Sequence, residues 1–142
     1  MAMSKTIDLL EINTDGGSRG NPGQAAIGVV ATSSGEKVFS LSERIGETTN
    51  NVAEYTAVVE ALTWIINHTK NTPQFVSFFL DSALVVNQLN GLFKVKDEKM
   101  RSLMLTVRQL EQQLDTHITY ESIPRALNAA ADAKVNEALD AA

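Results

Sequence analysis

AAIGVVATSSGEKVFSLSER, residues 25–44, contains two strand-like runs folded back on a turn. Residues 25–33 are small or β-branched. Ser34-Gly35 suits a two-residue hairpin, and 36–44 alternates apolar and polar side chains with period two. Upstream, residues 6–13 (TIDLLEIN) form a third β-like run. It is expected to stop at the turn-forming cluster Thr14-Asp15-Gly16-Gly17, with the turn region continuing to Gly23 through Arg19-Gly20-Asn21-Pro22. Three such runs predict an antiparallel meander.

Downstream, Tyr55, Val58, Val59, Leu62, Ile65 and Ile66 recur at helical spacing, predicting a helix from Asn51 to Asn67. Residues 74–80 (QFVSFFL) are almost wholly apolar and fit a strand buried on both faces. Asp81-Ser82 can cap a short helix over 83–90, closed by Gly91. A helix over 97–114 carries Leu103, Leu105, Val107, Leu110 and Leu114. A last strand over 117–123 leads through Pro124 into a final helix near 126–140. The order βββαβααβα predicts an α/β fold: a five-stranded mixed sheet, three antiparallel strands then parallel additions, flanked by helices.

The chain has 142 residues, enough for a single domain spanning 1–142 with a sizeable core. Its net charge of −5 excludes a uniformly basic nucleic-acid binder but not a local basic strip. With no cysteine there is no disulfide frame and no thiolate chemistry. No apolar run approaches the roughly 20 residues of a membrane span, and the start leads into no signal-type core. A cytoplasmic protein without membrane partners is expected.

Most of the seventeen acidic side chains fall in turns or on polar faces. Glu54 does not. It shares its helix face with Ala57, Val58, Ala61 and Ile65, an apolar stripe where an unpaired carboxylate is costly. Glu60 makes the contrast, beside Thr56, Thr63 and Asn67 on an expected wet face. The bland reading of Glu54 is a first-turn acid favoured by the helix dipole. Asp15 ends one apolar run and Asp81 another, where turn and cap chemistry are the bland readings. Asp132 lies on the polar stripe Asn128-Asp132-Asn136, beside the apolar stripe Leu127, Ala131, Val135, Leu139. Taken jointly, two acids leave strand ends and two come from helices able to pack near them. Converging carboxylates repel unless cations sit among them, and an oxygen-only set suits Mg²⁺ or Mn²⁺. Zinc is disfavoured, since only His68 and His117 are present, both expected to be structural or exposed.

Thr14-Asp15-Gly16-Gly17-Ser18-Arg19-Gly20-Asn21-Pro22-Gly23 resembles the opening motif of type 1 ribonucleases H. Thr49-Asn50-Asn51-Val52-Ala53-Glu54-Tyr55 is similar to that family's second motif, and Asp81 to Leu89 to its third. Pro124 to Asn128 with Ala131-Asp132 is similar to its fourth. The match spans nearly the whole chain, in order, and is nearest to the compact archaeal-type subgroup. The resemblance implies a ribonuclease H-like fold and an endonuclease that cuts the RNA strand of RNA–DNA hybrids, leaving 3′-hydroxyl and 5′-phosphate ends. It also implies that Asp15, Glu54, Asp81 and Asp132 hold two divalent ions, Mg²⁺ or Mn²⁺. Two ions about 3.5–4 Å apart can activate water, relieve phosphorane-like charge and stabilise the departing 3′ oxygen. In this assignment Asp15 bridges both ions, Glu54 and Asp81 complete the first site, and Asp132 completes the second.

Telling RNA from DNA requires the 2′-hydroxyl, reached by neutral groups that donate and accept across the minor groove. Asn21, Asn50 and Asn51 match family positions that do so, and Thr49 matches one that grips a DNA-strand phosphate. Gly16, Ser82 and Asn128 complete the expected contacts. Lys94 and Lys96, with Lys99 and Arg101, form the densest basic stretch and a candidate phosphate strip; a solvated helix face is the alternative.

The chain also departs from the family. Ala83 stands where some relatives carry a base-contacting glutamine. No histidine lies between Tyr120 and Asp132, where many relatives place one to assist product release. Arg125 sits in that loop as a candidate catalytic substitute. The basic insertion and the separate hybrid-binding domain of some relatives are missing, so affinity should be modest and salt-sensitive. A monomer is expected, with double-stranded RNA as a possible side substrate. Other readings are weaker. All four acids argue against a non-cutting binding module, and the three asparagines against a pure DNA nuclease. The glycines of 16–23 lack the Lys-Ser/Thr ending of a phosphate loop.

Overall fold

The computed structural model describes residues 8–68 and 72–141. Five strands and four helices follow in the expected order: β1 (Leu9–Arg19), β2 (Gly23–Ser33), β3 (Glu36–Thr48), α1 (Asn50–His68), β4 (Phe75–Leu80), α2 (Ala83–Leu89), α3 (Glu98–Gln112), β5 (His117–Ser122) and α4 (Ala129–Asp140). A 3₁₀ turn over Arg125–Asn128 leads into α4. The sheet runs β3-β2-β1-β4-β5. Its first three strands are antiparallel, and β4 and β5 are added in parallel. Ser34 and Gly35 both take positive φ, 52° and 79°, as a primed hairpin turn requires. Of the first expected strand, residues 6 and 7 lie outside the described residues.

β1 does not stop at Thr14. It continues through Asp15-Gly16-Gly17 to Arg19, paired with β2 throughout, and the chain turns only at Gly20-Asn21-Pro22. Gly16 serves close approach, not reversal. A Cβ on Gly16 would lie 2.3 Å from the carbonyl carbon of Ala53, so α1 can cross β1 only over a bare backbone. Gly28 does the same on the other face, where a Cβ would meet the Ala131 carbonyl oxygen at 2.2 Å. Helices therefore press on both sides of β1 and β2.

The main core lies between the sheet and α1, where Leu10, Ile12, Ile27, Tyr55, Val58, Leu62, Ile65 and Phe78 are fully buried. On the opposite face α4 packs Val135 and Ala138 against Ala26. That helix covers β1 to β3, so β4 is fully buried on one face only, and Phe75 remains 48% exposed. This corrects the expectation of a strand buried on both faces. In α3 the stripe Leu103, Val107, Leu110 faces inward, joined by Leu114 just past the helix end, and the out-of-phase Leu105 is exposed. Glu60 is half-buried, not on a wet face. It flanks the stacked Phe39 and Trp64, and burial and the Glu43 charge push its carboxyl up. No described helix is long and apolar enough to cross a membrane.

Candidate active site

Asp15 and Asp81 are brought level by strand register. β1 and β4 run parallel with Asn13 opposite Phe79, and two further residues lead to Asp15, within β1, and to Asp81, just past the end of β4. Asp81 is not the cap of α2. That task falls to Ser82, whose Oγ accepts the Val85 N–H at 3.2 Å, leaving the Asp81 carboxylate available. Glu54 descends from the buried face of α1, and Gly16 beneath it donates its N–H both to Glu54 Oε1 at 3.2 Å and to Asp15 Oδ1 at 3.0 Å. One oxygen each from Asp15, Glu54 and Asp81 fall within 4.8 Å of one another.

Asp132, in the first turn of α4, lines the same cleft of about 300 Å³ but stands outside that group of three. Asn136, one turn on, donates to its Oδ2 at 3.4 Å. Asp15 and Glu54 are each only 4% exposed. Burial, with the charges of Asp81 and Asp132, pushes the Asp15 carboxyl up to about 6 against the lowering effect of its hydrogen bond with Glu54. Burial and the neighbouring Asp15 raise Glu54 well above the usual carboxylate range. Glu54 Oε2 and Asp81 Oδ2 are buried with no hydrogen-bond partner. Carboxylates so crowded and so incompletely satisfied fit a hard divalent cation, whose oxygen-rich coordination would meet these atoms.

The other expected site residues divide. Gly16, Asn50, Asn51, Ser82 and Arg125 line the cleft. Asn21 is exposed beside the cleft and does not line it; its Oδ1 accepts the Asn50 N–H at 3.1 Å. Thr49 Oγ1 accepts the Val52 N–H at 3.2 Å and so caps α1. Lys94 and Lys96 lie on the loop between α2 and α3, and Lys99 and Arg101 on α3; none lines the cleft. Asn128 is corrected. It is fully buried, accepting from Asn13 Nδ2 at 3.0 Å and donating to the Thr14 carbonyl at 2.9 Å, so it positions β1 and has no surface for substrate. Leu127, expected on the apolar stripe, is 70% exposed because the 3₁₀ turn breaks the helical phase before α4. His68 and His117 are exposed and outside the cleft.

Sequence reasoning missed Ser18, Arg19 and Asn136, which also line the cleft. Ser18 donates its backbone N–H to Asn50 Oδ1 at 2.8 Å. The first two lie in a stretch whose residue types suit a turn, and Asn136 is marked in the sequence only as a polar residue four after Asp132.

The family model described as Reverse transcriptase-like matches residues 13–138. A bifunctional protein of Mycobacterium tuberculosis, Rv2228c, is 41% identical over 133 residues, 92% of this chain. The chain spans about a third of that relative, 35% of its length. Ribonuclease HI of Halobacterium salinarum is 40% identical over 128 residues, covering 89% of this chain and 62% of the relative. Among solved structures, LC11 ribonuclease H1 in complex with an RNA/DNA hybrid superposes with a TM-score of 0.87 at 41% identity. That match covers 92% of this chain and 96% of the other.

Proposed function

The chain belongs to the type 1 ribonuclease H family, and on that premise we propose that it is an endonuclease hydrolysing the RNA strand of RNA–DNA hybrids, acting in the cytoplasm as a monomeric single domain over residues 1–142. The observation that carries this reading is the convergence of Asp15, Glu54 and Asp81 with two buried, unpartnered carboxylate oxygens among them. Asp15, Glu54 and Asp81 would hold one divalent ion, Mg²⁺ or Mn²⁺, and Asp15 with Asp132 a second. Bound ions supply an activated water and charge relief at the scissile phosphate.

The protein's own groups supply orientation and selectivity. Gly16 N–H fixes the facing oxygens of Asp15 and Glu54. Backbone N–H groups of Ser18 and Asn50 occupy the oxygens of Asn50 and Asn21 respectively, which fixes both amide orientations and leaves their NH₂ groups to donate. Donors at the cleft edge suit 2′-hydroxyl and minor-groove acceptors of a ribose strand. Arg125, on the cleft wall, supplies a cation for the scissile or departing phosphate. Cleavage leaves 3′-hydroxyl and 5′-phosphate ends, with double-stranded RNA as a lesser substrate.

The test is incubation with uniform RNA–DNA hybrid, duplex RNA and duplex DNA, each with Mg²⁺, with Mn²⁺ and with chelator. Metal-dependent cutting of the hybrid's RNA strand, with those ends, is expected. An intact hybrid, or DNA cut equally well, would overturn the reading.

A further inference from the structure

Two arginines reach the C-terminal end of α4. Arg44, from β3, donates Nε to the Ala138 carbonyl at 2.8 Å and Nη2 to Leu139 at 3.0 Å and to Ala141. Those bonds meet the unpaired carbonyls of a helix end and its partial negative charge. Arg19, the last residue of β1, adds only a 3.4 Å contact to the Leu139 carbonyl and pairs instead with Asp140. As a cap, Arg19 is redundant.

Arg19 differs from Arg44 in position. Among the described residues lining the cleft, Arg19 and Arg125 are the cations, set against Asp15, Glu54, Asp81 and Asp132. Arg19 follows Ser18, whose N–H is fixed on Asn50, so its backbone is anchored to the edge where we place the ribose strand. The side chains of Arg19 and Asp140 are 51% and 65% exposed, and an exposed ion pair is readily exchanged for another. A guanidinium binds phosphate in the same forked geometry as carboxylate.

We propose that Arg19 is a substrate-binding residue that grips a backbone phosphate of the bound hybrid, and that Asp140 is its resident competitor. On binding, the phosphate displaces the Asp140 carboxylate from Arg19, while Arg44 keeps the end of α4 in place. The proposal rests on the hybrid-cleaving reading of the cleft. It makes opposite predictions for the two members of one ion pair: losing Arg19 weakens binding and losing Asp140 strengthens it.

The experiment is steady-state cleavage of RNA–DNA hybrid in Mg²⁺ at several salt concentrations, with wild type, Arg19→Ala, Asp140→Asn and the double variant, each checked by thermal melting. Arg19→Ala should raise KM about tenfold and lower the steepness of its salt dependence by about one phosphate contact. Asp140→Asn should lower KM about two- to fivefold, the range an exposed pair permits, and should do nothing in the Arg19→Ala background. An unchanged KM in Arg19→Ala overturns the proposal. So does a raised KM in Asp140→Asn, or an Asp140→Asn effect that persists without Arg19. If wild type leaves hybrid uncut, the underlying reading fails first and takes this one with it.

Discussion

Gly16 and Ala53 touch so closely that a Cβ on the glycine would lie 2.3 Å from the alanine's carbonyl carbon. That contact sets Glu54, the next residue, directly over the Gly16 N–H that it shares with Asp15. The obstruction would be backbone, which cannot swing aside.

Gly16→Ala should therefore lift α1 from β1, destabilising the fold by about 3 kcal/mol and removing activity. Urea unfolding checks it. A variant as stable as wild type would mean that α1 and β1 are not in contact there.

Metal-free stability should depend on pH through Asp15. Unfolded, this carboxyl ionises at 3.8; folded, at about 6. The native state keeps the proton longer, so the contribution is complete below the unfolded value and is lost as pH rises through the folded one. Glu54 shifts in the same direction. Asp15→Asn removes this titration. In chelator it should melt above wild type, by a margin that widens from about pH 4 to about pH 7 and is of order 1–3 kcal/mol at the top. Asp132→Asn, outside the group of three, should raise the melting temperature less. A lower melting temperature for Asp15→Asn at neutral pH would argue against stored repulsion.

Asn128→Ala should act on stability before it acts on binding. It strands the Thr14 carbonyl and the Asn13 amide in a buried place, at a cost of about 1–3 kcal/mol. Thermal melting should show the loss. An unchanged melting temperature with a raised KM would restore this residue to the substrate surface.

Arg125→Ala should lower turnover about tenfold under saturating hybrid, the loss of one exposed cation near a phosphate. Unchanged turnover would remove Arg125 from the chemistry.

The quartet of acids was legible for a simple reason. A carboxylate on an apolar helical stripe, as with Glu54, contradicts its own burial, and the ends of apolar runs advertise Asp15 and Asp81, even though the strand itself continues past Asp15. The same stretch concealed Arg19 and Ser18, because Asp-Gly-Gly reads locally as a turn. Its Gly16 is instead required by a helix whose Glu54 lies 38 residues away in sequence. Asn128 and Leu127 were misplaced for another reason: a 3₁₀ turn shifts the phase, and nothing in a 3.6-residue pattern announces it. The open face of β4 depended on how far α4 reaches across the sheet, a tertiary fact that seven apolar residues cannot encode.

In our reading of the cleft, the Asp15, Glu54 and Asp81 carboxylates together form a metal-dependent cutting centre for RNA paired with DNA. Single-turnover cleavage of an end-labelled hybrid in Mg²⁺, comparing wild type with Asp81→Asn, tests it most directly. A loss of about a thousandfold is expected, in a variant that melts no lower than wild type. A folded Asp81→Asn protein that cuts hybrid at the wild-type rate would contradict it.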